Sequence, residues 1–440
     1  YCLAGIYCVA NLFLQFGMDL IKCYWNITNG LQPCFRFLKG GEPMKRGRTY
    51  LYITLILLAV VGTVGGAMYW RANNQEFRTQ QAAKRANRRR QEQQLSSTAK
   101  KREASTQKSA PRQIQHKTTQ QTKQITSYLK RNHFVGSAII VKNNHILYQQ
   151  GFGYANYKSD IQNTPSSEFQ ILSIQKSLTA VMAMKLITQG KLSLNTKLSK
   201  YYPKIANSRN ITIRNLMDMD SGLTMSEAGS VRTLNEENVI KYAVNHIVTR
   251  SPKYKDWYQP VNFVVLAGII SKITHKSYGK YFDQLFTKPL NLKGTGVVQH
   301  WGTRPNRTLG YHWLAANQLK QNYSRQYHEA KASMQNELGT GQVFMTPFDL
   351  FKVEQAILKG KIIPKASVAI LHQPGLNAPY GGGIYNQQNG IRSHGIGYGY
   401  ESSLFITRNG KSGVVLLSND YRPANQIQNL AARLFDDLAT

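Results

Sequence analysis

A serine and a lysine three residues apart, Ser173 and Lys176 in the run ILSIQKSLTA (171–180), stand where an apolar segment takes on helical spacing. At that separation two side chains share one helix face, one turn apart. A serine hydroxyl becomes a useful nucleophile when a neighbouring base takes its proton. A lysine amine serves as that base where burial and nearby donors favour its neutral form. A serine at a helix start also has backbone N–H groups aimed at an oxyanion forming beside it. On its own the pair is equally compatible with polar decoration of a helix start, because a pattern fixing two residues recurs by chance in a chain rich in Lys and Ser.

The elements that would position this pair are legible on both sides of it. SAIIVKNNHILYQQGFGYA, from Ser137, gives two apolar strands around Asn143-Asn144, a hairpin signal. Near the C-terminus SLFITRNGKSGVVLLSN gives a second hairpin turned at Asn409-Gly410. Between them the periodicity predicts helices over 173–189, 211–220, 262–274, 278–286 and 346–358. The last of these opens on Thr346-Pro347-Phe348-Asp349, a cap residue, Pro at the first position and an acid at the third. A short helix with Ile125, Tyr128 and Leu129 on one face is expected before the first strand, and an amphipathic helix from about 424 to 438 closes the chain. The expected fold class is α+β, an α/β sandwich: an antiparallel sheet built from both ends of the domain, with a helical region against it.

The first part of the chain has a different character. Residues 1–43 show no clean period or capping pattern, and Lys39-Gly40-Gly41-Glu42 back-translates to AAAGGAGGTGAA, a ribosome-binding site just before the Met44 codon. The expectation is that 1–43 is an untranslated leader and that Met44 is the start. Lys45, Arg46 and Arg48 then precede an uncharged run, 51–70, of membrane-spanning length. Residues 44–70 thus read as a transmembrane signal-anchor on the cytoplasmic membrane, which places the rest of the chain outside. Residues 71–115, with KRANRRR (84–90) and KKR (100–102), are a basic linker too polar to bury a core. The hydrolase domain is expected over 116–440.

The formal net charge of +34 over 440 residues calls for an anionic partner. A preceding membrane span argues against nucleic acid and for anionic lipid headgroups or anionic wall polymer, bound through the basic linker, with a plain spacer made basic for solubility as the other reading. All four cysteines lie at or before Cys34, which excludes a disulfide-stapled or cysteine-dependent body. The histidines lack metal spacing, so no metal and no cofactor are expected. GTGQ (339–342) lacks the Lys-Ser/Thr of a phosphate loop, and YGGGIY (380–385) reads as a strand or turn.

With these elements in place, ILSIQKSLTAVMAMKLITQGKLSLNTKLSKYYP resembles the nucleophile region of the serine β-lactamase and penicillin-binding-protein superfamily, nearest its class C-like branch of carboxypeptidases and esterases. IRNLMDMDSGL (213–223), NFVVLAGIISKITHKSYGKYFDQLFTKPLNLKGTG (262–296) and YGGGIY follow in family order, so the resemblance covers about 120–440. It implies Ser173 as nucleophile, Lys176 as base, and Tyr258 of WYQPVNF as the residue that relays the proton to the leaving group. Where the family's Tyr-x-Asn motif has Asn, this chain has Pro260. The third motif, Lys/His-x-Gly, aligns as Ser393-His394-Gly395, with serine in the position of the cation; a one-residue shift would place His394 there instead. The resemblance implies a second oxyanion donor in the N–H of Ile396, and Gly395 would let substrate lie close to the strand.

A proline in place of the amide that holds a peptide carbonyl, and a serine in place of the cation that meets a carboxylate, suit a D-alanyl ester better than a D-Ala-D-Ala peptide. The resemblance therefore points to the membrane-anchored D-alanyl-lipoteichoic acid esterases, with D-alanylated lipoteichoic or teichoic acid as substrate outside a Gram-positive-type membrane. Two other readings stay open from sequence: a D,D-carboxypeptidase or low-molecular-weight penicillin-binding protein, and a non-catalytic polyanion-binding wall protein on the same fold.

Overall fold

Alternation along one strand explains how the molecule is layered. The computed structural model describes residues 119–225, 229–250, 258–313, 321–376, 378–422 and 426–439. Strand β1 (Gly136–Lys142) turns at Asn143 and Asn144, both with positive φ, into β2 (His145–Phe152). Such a turn matches the twist of the two strands. Ile139 and Val141 of β1 point into one apolar cluster, and Ala138 and Ile140 into another. The period of two thus gives the sheet two buried faces.

The remaining strands come from the C-terminal part: β3 (Tyr380–Gly381), β4 (Ile384–Gln387), β5 (Gly390–Gly397), β6 (Tyr400–Ile406) and β7 (Gly413–Ser418). They form a seven-stranded sheet in the order β3-β4-β5-β6-β7-β1-β2. Antiparallel pairing of β1 with β7, from Ser137 opposite Leu417 to Val141 opposite Gly413, joins the two ends of the domain as expected.

One face carries α1 (Gln120–Arg131) and, near the C-terminus, a helix over Ile427–Ala439. Ile125 and Leu129 of α1 and Leu430 and Leu434 of the terminal helix close over Phe405, Val414 and Leu416. The other face carries the helical layer: α2 (Gln175–Thr188), α3 (Ile213–Asp218), α4 (Glu236–His246), α5 (Val261–Thr274), α6 (Pro347–Leu358) and α7 (Lys365–Leu371); the terminal helix is α8. Both α2 and α5 are buried almost all round, as helices apolar on every side must be. The expected cap at Thr346 forms, its side chain accepting from the Asp349 N–H. The segment expected as one helix over 278–286 is an α-helical turn, Tyr278–Phe282, that widens into a π-helical turn over Asp283–Thr287. Helices α4 and α7 were not foreseen. Helix α7 has only seven residues, and the fully buried positions are few in both: Val239 and Ala243 in α4, Val368 and Leu371 in α7.

The candidate leader, anchor and linker (1–43, 44–70 and 71–115) lie outside the described residues. Among the described residues no helix is long and apolar enough to cross a membrane.

Two buried contacts fix α2. Gly383, at φ +87° between β3 and β4, packs so closely that a Cβ would fall 2.5 Å from the Lys176 carbonyl carbon. The glycine run thus lets the sheet edge touch the helix backbone beside the lysine. On another side Ser177 Oγ lies 2.5 Å from Glu354 Oε1 of α6 and 2.9 Å from the Ile174 carbonyl oxygen. Burial pushes the Glu354 carboxyl up to about 7, against the hydrogen bond with Ser177, which works to lower it. A neutral Glu354 can donate to Ser177, leaving the one serine proton for Ile174.

A carboxyl raised in the folded state stabilises below its unfolded pKa of about 4.3 and loses that contribution as pH rises through about 7. Glu354→Gln removes this dependence while keeping a neutral side chain of the same shape. The variant's stability relative to wild type should therefore climb between pH 5 and 8, by on the order of 3 kcal/mol in all. Urea unfolding at a series of pH values measures it; a pH-independent difference would show that Glu354 is ionised in the fold.

Candidate active site

The nucleophile sits on a strained corner. Leu172 has φ +50°, a left-handed conformation that a branched side chain adopts at a cost of about 1–3 kcal/mol. It belongs to a 3₁₀ turn, Leu172–Ile174, that runs directly into α2. The corner leaves Ser173 partly exposed and puts Lys176 beneath it, only 1% exposed. Lys176 Nζ donates to Ser173 Oγ at 2.8 Å and to the Thr340 carbonyl at 3.3 Å. Nothing in the sequence signals the turn or its strain, since a leucine before a serine carries no such mark.

The segment 339–343 lies along α2 and supplies the lysine's second partner. Thr179 Oγ1 donates to the Gly339 carbonyl at 2.7 Å, Gln170 Nε2 to the Gly341 carbonyl at 2.9 Å, and the Val343 N–H to Gln175 Oε1 at 2.9 Å. These bonds hold the Thr340 carbonyl facing Lys176. Glu337 extends the clamp: its carboxylate accepts from the Thr340 hydroxyl at 2.7 Å and from the Tyr398 hydroxyl at 3.0 Å, in the turn between β5 and β6. It therefore ties the acceptor of Lys176 to the strand on the other side of Ser173. Sequence reading passed over both Thr340 and Glu337, because their roles depend on chain segments far apart in sequence.

Strand β5 closes the site from the sheet. A Cβ on Gly395 would lie 2.8 Å from the Ser173 nitrogen and 2.6 Å from the Ile171 carbonyl oxygen, so only glycine lets the strand run against the nucleophile's own amide. Side chains alternate along a strand, so Ser393 shares the Gly395 face and His394 takes the opposite one. Ser393 is 3% exposed there. Away from the nucleophile, His394 Nε2 bonds Glu401 of β6 at 2.8 Å. Of the two registers left open for the third motif, the one headed by Ser393 puts its first side chain on the nucleophile's side. Ile396, next along, is 39% exposed at the rim of the cleft.

Tyr258 meets the pair through its ring. Lys176 Nζ stands 5.1 Å from the ring centroid, within cation–π distance. Among the described residues no hydrogen bond joins its hydroxyl to Ser173 or Lys176. Tyr258 leads an aromatic row through Tyr380, at 6.0 Å, to Tyr385, at 5.0 Å from Tyr380, with the Arg392 guanidinium 4.2 Å over the last ring. Burial, then the neighbouring Tyr258 and Tyr385, push the Tyr380 hydroxyl well above the ordinary tyrosine value. Pro260 opens α5, and the nearby Asn262 is buried with its side chain engaged by Ser221 and the Gln259 carbonyl. Neither supplies the amide that the second motif usually presents. Among the described residues no group of three or more His, Cys, Asp or Glu could hold a metal ion.

This arrangement of Ser, Lys and Tyr on a sheet edge and a helical layer can be set against known proteins. The family model described as Beta-lactamase matches residues 121–437. The chain belongs to that family. It is 30% identical over 314 residues to the Bacillus subtilis protein PbpX, described as a candidate penicillin-binding protein, covering 71% of this chain and 77% of that one. It is 27% identical over 312 residues to the teichoic acid D-alanine hydrolase of Staphylococcus aureus, covering 70% and 75%. Among solved structures, FmtA of Staphylococcus aureus is similar with a TM-score of 0.62 and 26% identity, covering 72% of this chain and 88% of that one. The D-amino acid amidase of Ochrobactrum anthropi SV3, at 18% identity and a TM-score of 0.60 over 72% and 99%, shares the fold. The β-lactamase-like fold and serine hydrolase class expected from sequence are thereby established.

The geometry separates the roles of Lys176 and Tyr258. Lys176→Ala removes the partner of Ser173 Oγ, and Tyr258→Phe removes only a hydroxyl while the ring keeps its place over the ammonium. Each should lower turnover of an activated ester by roughly two to four orders of magnitude, with little change in thermal stability for Tyr258→Phe. Steady-state kinetics decide; wild-type turnover by Tyr258→Phe would remove the hydroxyl from proton transfer.

Proposed function

We propose that this serine hydrolase removes D-alanyl esters from lipoteichoic or teichoic acid outside a Gram-positive-type cell membrane, to which 51–70 anchors it. The 2.8 Å bond between Lys176 Nζ and Ser173 Oγ carries the hydrolytic reading. Lys176 takes the Ser173 proton while Oγ attacks the ester carbonyl. The N–H groups of Ser173 and Ile396 hold the oxyanion. On collapse, the proton passes through Tyr258 to the departing polyol oxygen, leaving D-alanine esterified to Ser173. Water then repeats the sequence and frees D-alanine and the serine hydroxyl.

The substrate follows from what the altered motifs offer. Ser393 brings no charge to the position from which a cation would meet a terminal carboxylate, and Pro260 offers no side-chain hydrogen bond to a peptide carbonyl. A D-alanyl ester has neither group and a better leaving group than an amide. The similarity to a teichoic acid D-alanine hydrolase supports the same substrate, as does the resemblance to the D-alanyl-lipoteichoic acid esterase DltE of lactobacilli. The basic linker 71–115 would hold anionic polymer near the site, an attraction that fades as salt shortens the Debye length below about 10 Å. Similarity to PbpX favours one competing reading, a penicillin-binding carboxypeptidase.

Release of D-alanine separates them. The enzyme should deacylate D-alanylated lipoteichoic acid and leave D-Ala-D-Ala pentapeptide untouched. A fluorescent penicillin, which carries a carboxylate, should label Ser173 about ten- to a hundred-fold more slowly than it labels a carboxypeptidase, the scale of one missing charged hydrogen bond. Rapid penicillin labelling with D-alanine release from the peptide would replace the esterase reading with the carboxypeptidase one.

A further inference from the structure

At the other end of β5 lies a cavity of about 760 Å³ that the hydrolytic chemistry does not use. It opens between the end of α6, α7, β4, the start of β5 and the turn joining β6 to β7. Four cations line it, Lys359, Lys365, Arg408 and Lys411, and no carboxylate does. No ion pair found among the described residues engages any of the four. Neutral acceptors hold two of them in place instead. Lys359 Nζ donates to Asn144 Oδ1 at 2.7 Å, and Arg408 donates to Asn386 Oδ1 at 3.2 Å and to the Gln387 carbonyl at 2.8 Å.

The charges are crowded. Partial burial, then Lys361 and Lys411, lower the Lys359 ammonium from its ordinary value. His372 adds a neutral donor to the lining. It is 8% exposed, and its ring makes no hydrogen bond to protein among the described residues. Burial, then Arg408 and Arg214, push that imidazole down to about 4, so it stands neutral with an N–H to donate. Four cations without a carboxylate, and a ring N–H beside them, are what a phosphate oxygen cluster would satisfy.

We propose that this cavity is a phosphate-binding exosite that holds a phosphodiester segment of a poly(glycerol phosphate) chain while another segment of the same chain lies at Ser173. The inference rests on the teichoic acid reading for its occupant. Ile391 lines the cavity and Gly395 touches the nucleophile, and four residues of strand separate them by about 13 Å. A polymer charged at every repeat can occupy both ends of the strand. The exosite adds polymer affinity without touching the reacting atoms.

The test is binding of poly(glycerol phosphate) without D-alanine to the full chain carrying Ser173→Ala, by titration calorimetry at low salt. Adding Lys359→Glu and Lys411→Glu should raise Kd by about tenfold or more, the loss of two charge-assisted contacts. Adding Lys280→Glu and Lys288→Glu, the same change of net charge outside the cavity, should change it by less than about twofold. Arg408→Gln is the second cavity variant, required to weaken binding in the same sense if the double variant fails to fold. In the active enzyme the cavity changes should raise KM for alanylated polymer and leave a small D-alanyl glycerol ester unaffected. Because the binding assay contains no ester, a failed esterase reading is told apart from a failed exosite. Equal weakening by both charge pairs would overturn the exosite. So would cavity-dependent binding of phosphatidylglycerol vesicles in preference to the polymer, which would assign the cavity to a lipid headgroup.

Discussion

A lysine held almost entirely out of water beside a serine hydroxyl is the constraint that the rest of the domain serves. Burying such a group costs free energy unless polar partners meet it, and here they are the Ser173 hydroxyl and the Thr340 carbonyl. Each neighbouring feature keeps those partners in position. The left-handed Leu172 turns Ser173 onto the first turn of α2, Gly383 lets the sheet edge reach the Lys176 backbone, and Gly395 lets β5 reach the Ser173 amide. Glu337 then bridges the Thr340 segment to the β5–β6 turn, so one carboxylate links the acceptor of the base to the strand that closes the site. The strain at Leu172 persists because these contacts over-determine it.

In the proposed function, selectivity follows from what is missing around the nucleophile. The altered positions do not disturb the Ser–Lys pair: Pro260 caps the start of α5 with its φ already helical, and Ser393 fits a buried strand position that a cation could occupy only with a partner. On the proposed esterase reading, a change of substrate made in this way leaves the acyl-transfer machinery intact. Charge would then lie on surfaces that meet a polymer. The cationic cavity at the far end of β5 and the basic linker before the domain both suit a substrate that is a long polyanion.

Much of the fold was legible because it rests on short-range rules. Asn143-Asn144 and Asn409-Gly410 named both hairpins, Thr346-Pro347 named the start of α6, and the apolar runs of α2 and α5 could only be buried helices. The pair Ser173 and Lys176 was legible for the same reason: its geometry is one turn of helix. What escaped depends on contacts across the chain. The Thr340 carbonyl and Glu337 act through segments more than a hundred residues from the nucleophile, and their residue types carry no mark of it. The third motif could not be registered from sequence, since Ser393 and His394 differ only in which face of β5 they take. The contact of Gly395 with the Ser173 amide and the pairing of His394 with Glu401 separate them. The seven-residue α7 escaped because few of its residues are buried, whereas α4 carries a readable helical spacing in Val239, Ile240, Ala243 and Val244 that was passed over.

The central claim is that Ser173, activated by Lys176, carries the D-alanyl group as a covalent intermediate. Acid-quenching the enzyme during turnover of D-alanylated lipoteichoic acid and mapping its peptides by mass spectrometry tests this directly. One D-alanyl unit on the peptide bearing Ser173, absent from Ser173→Ala, is the predicted result. An unmodified peptide during active turnover, or the adduct on another residue, would contradict it.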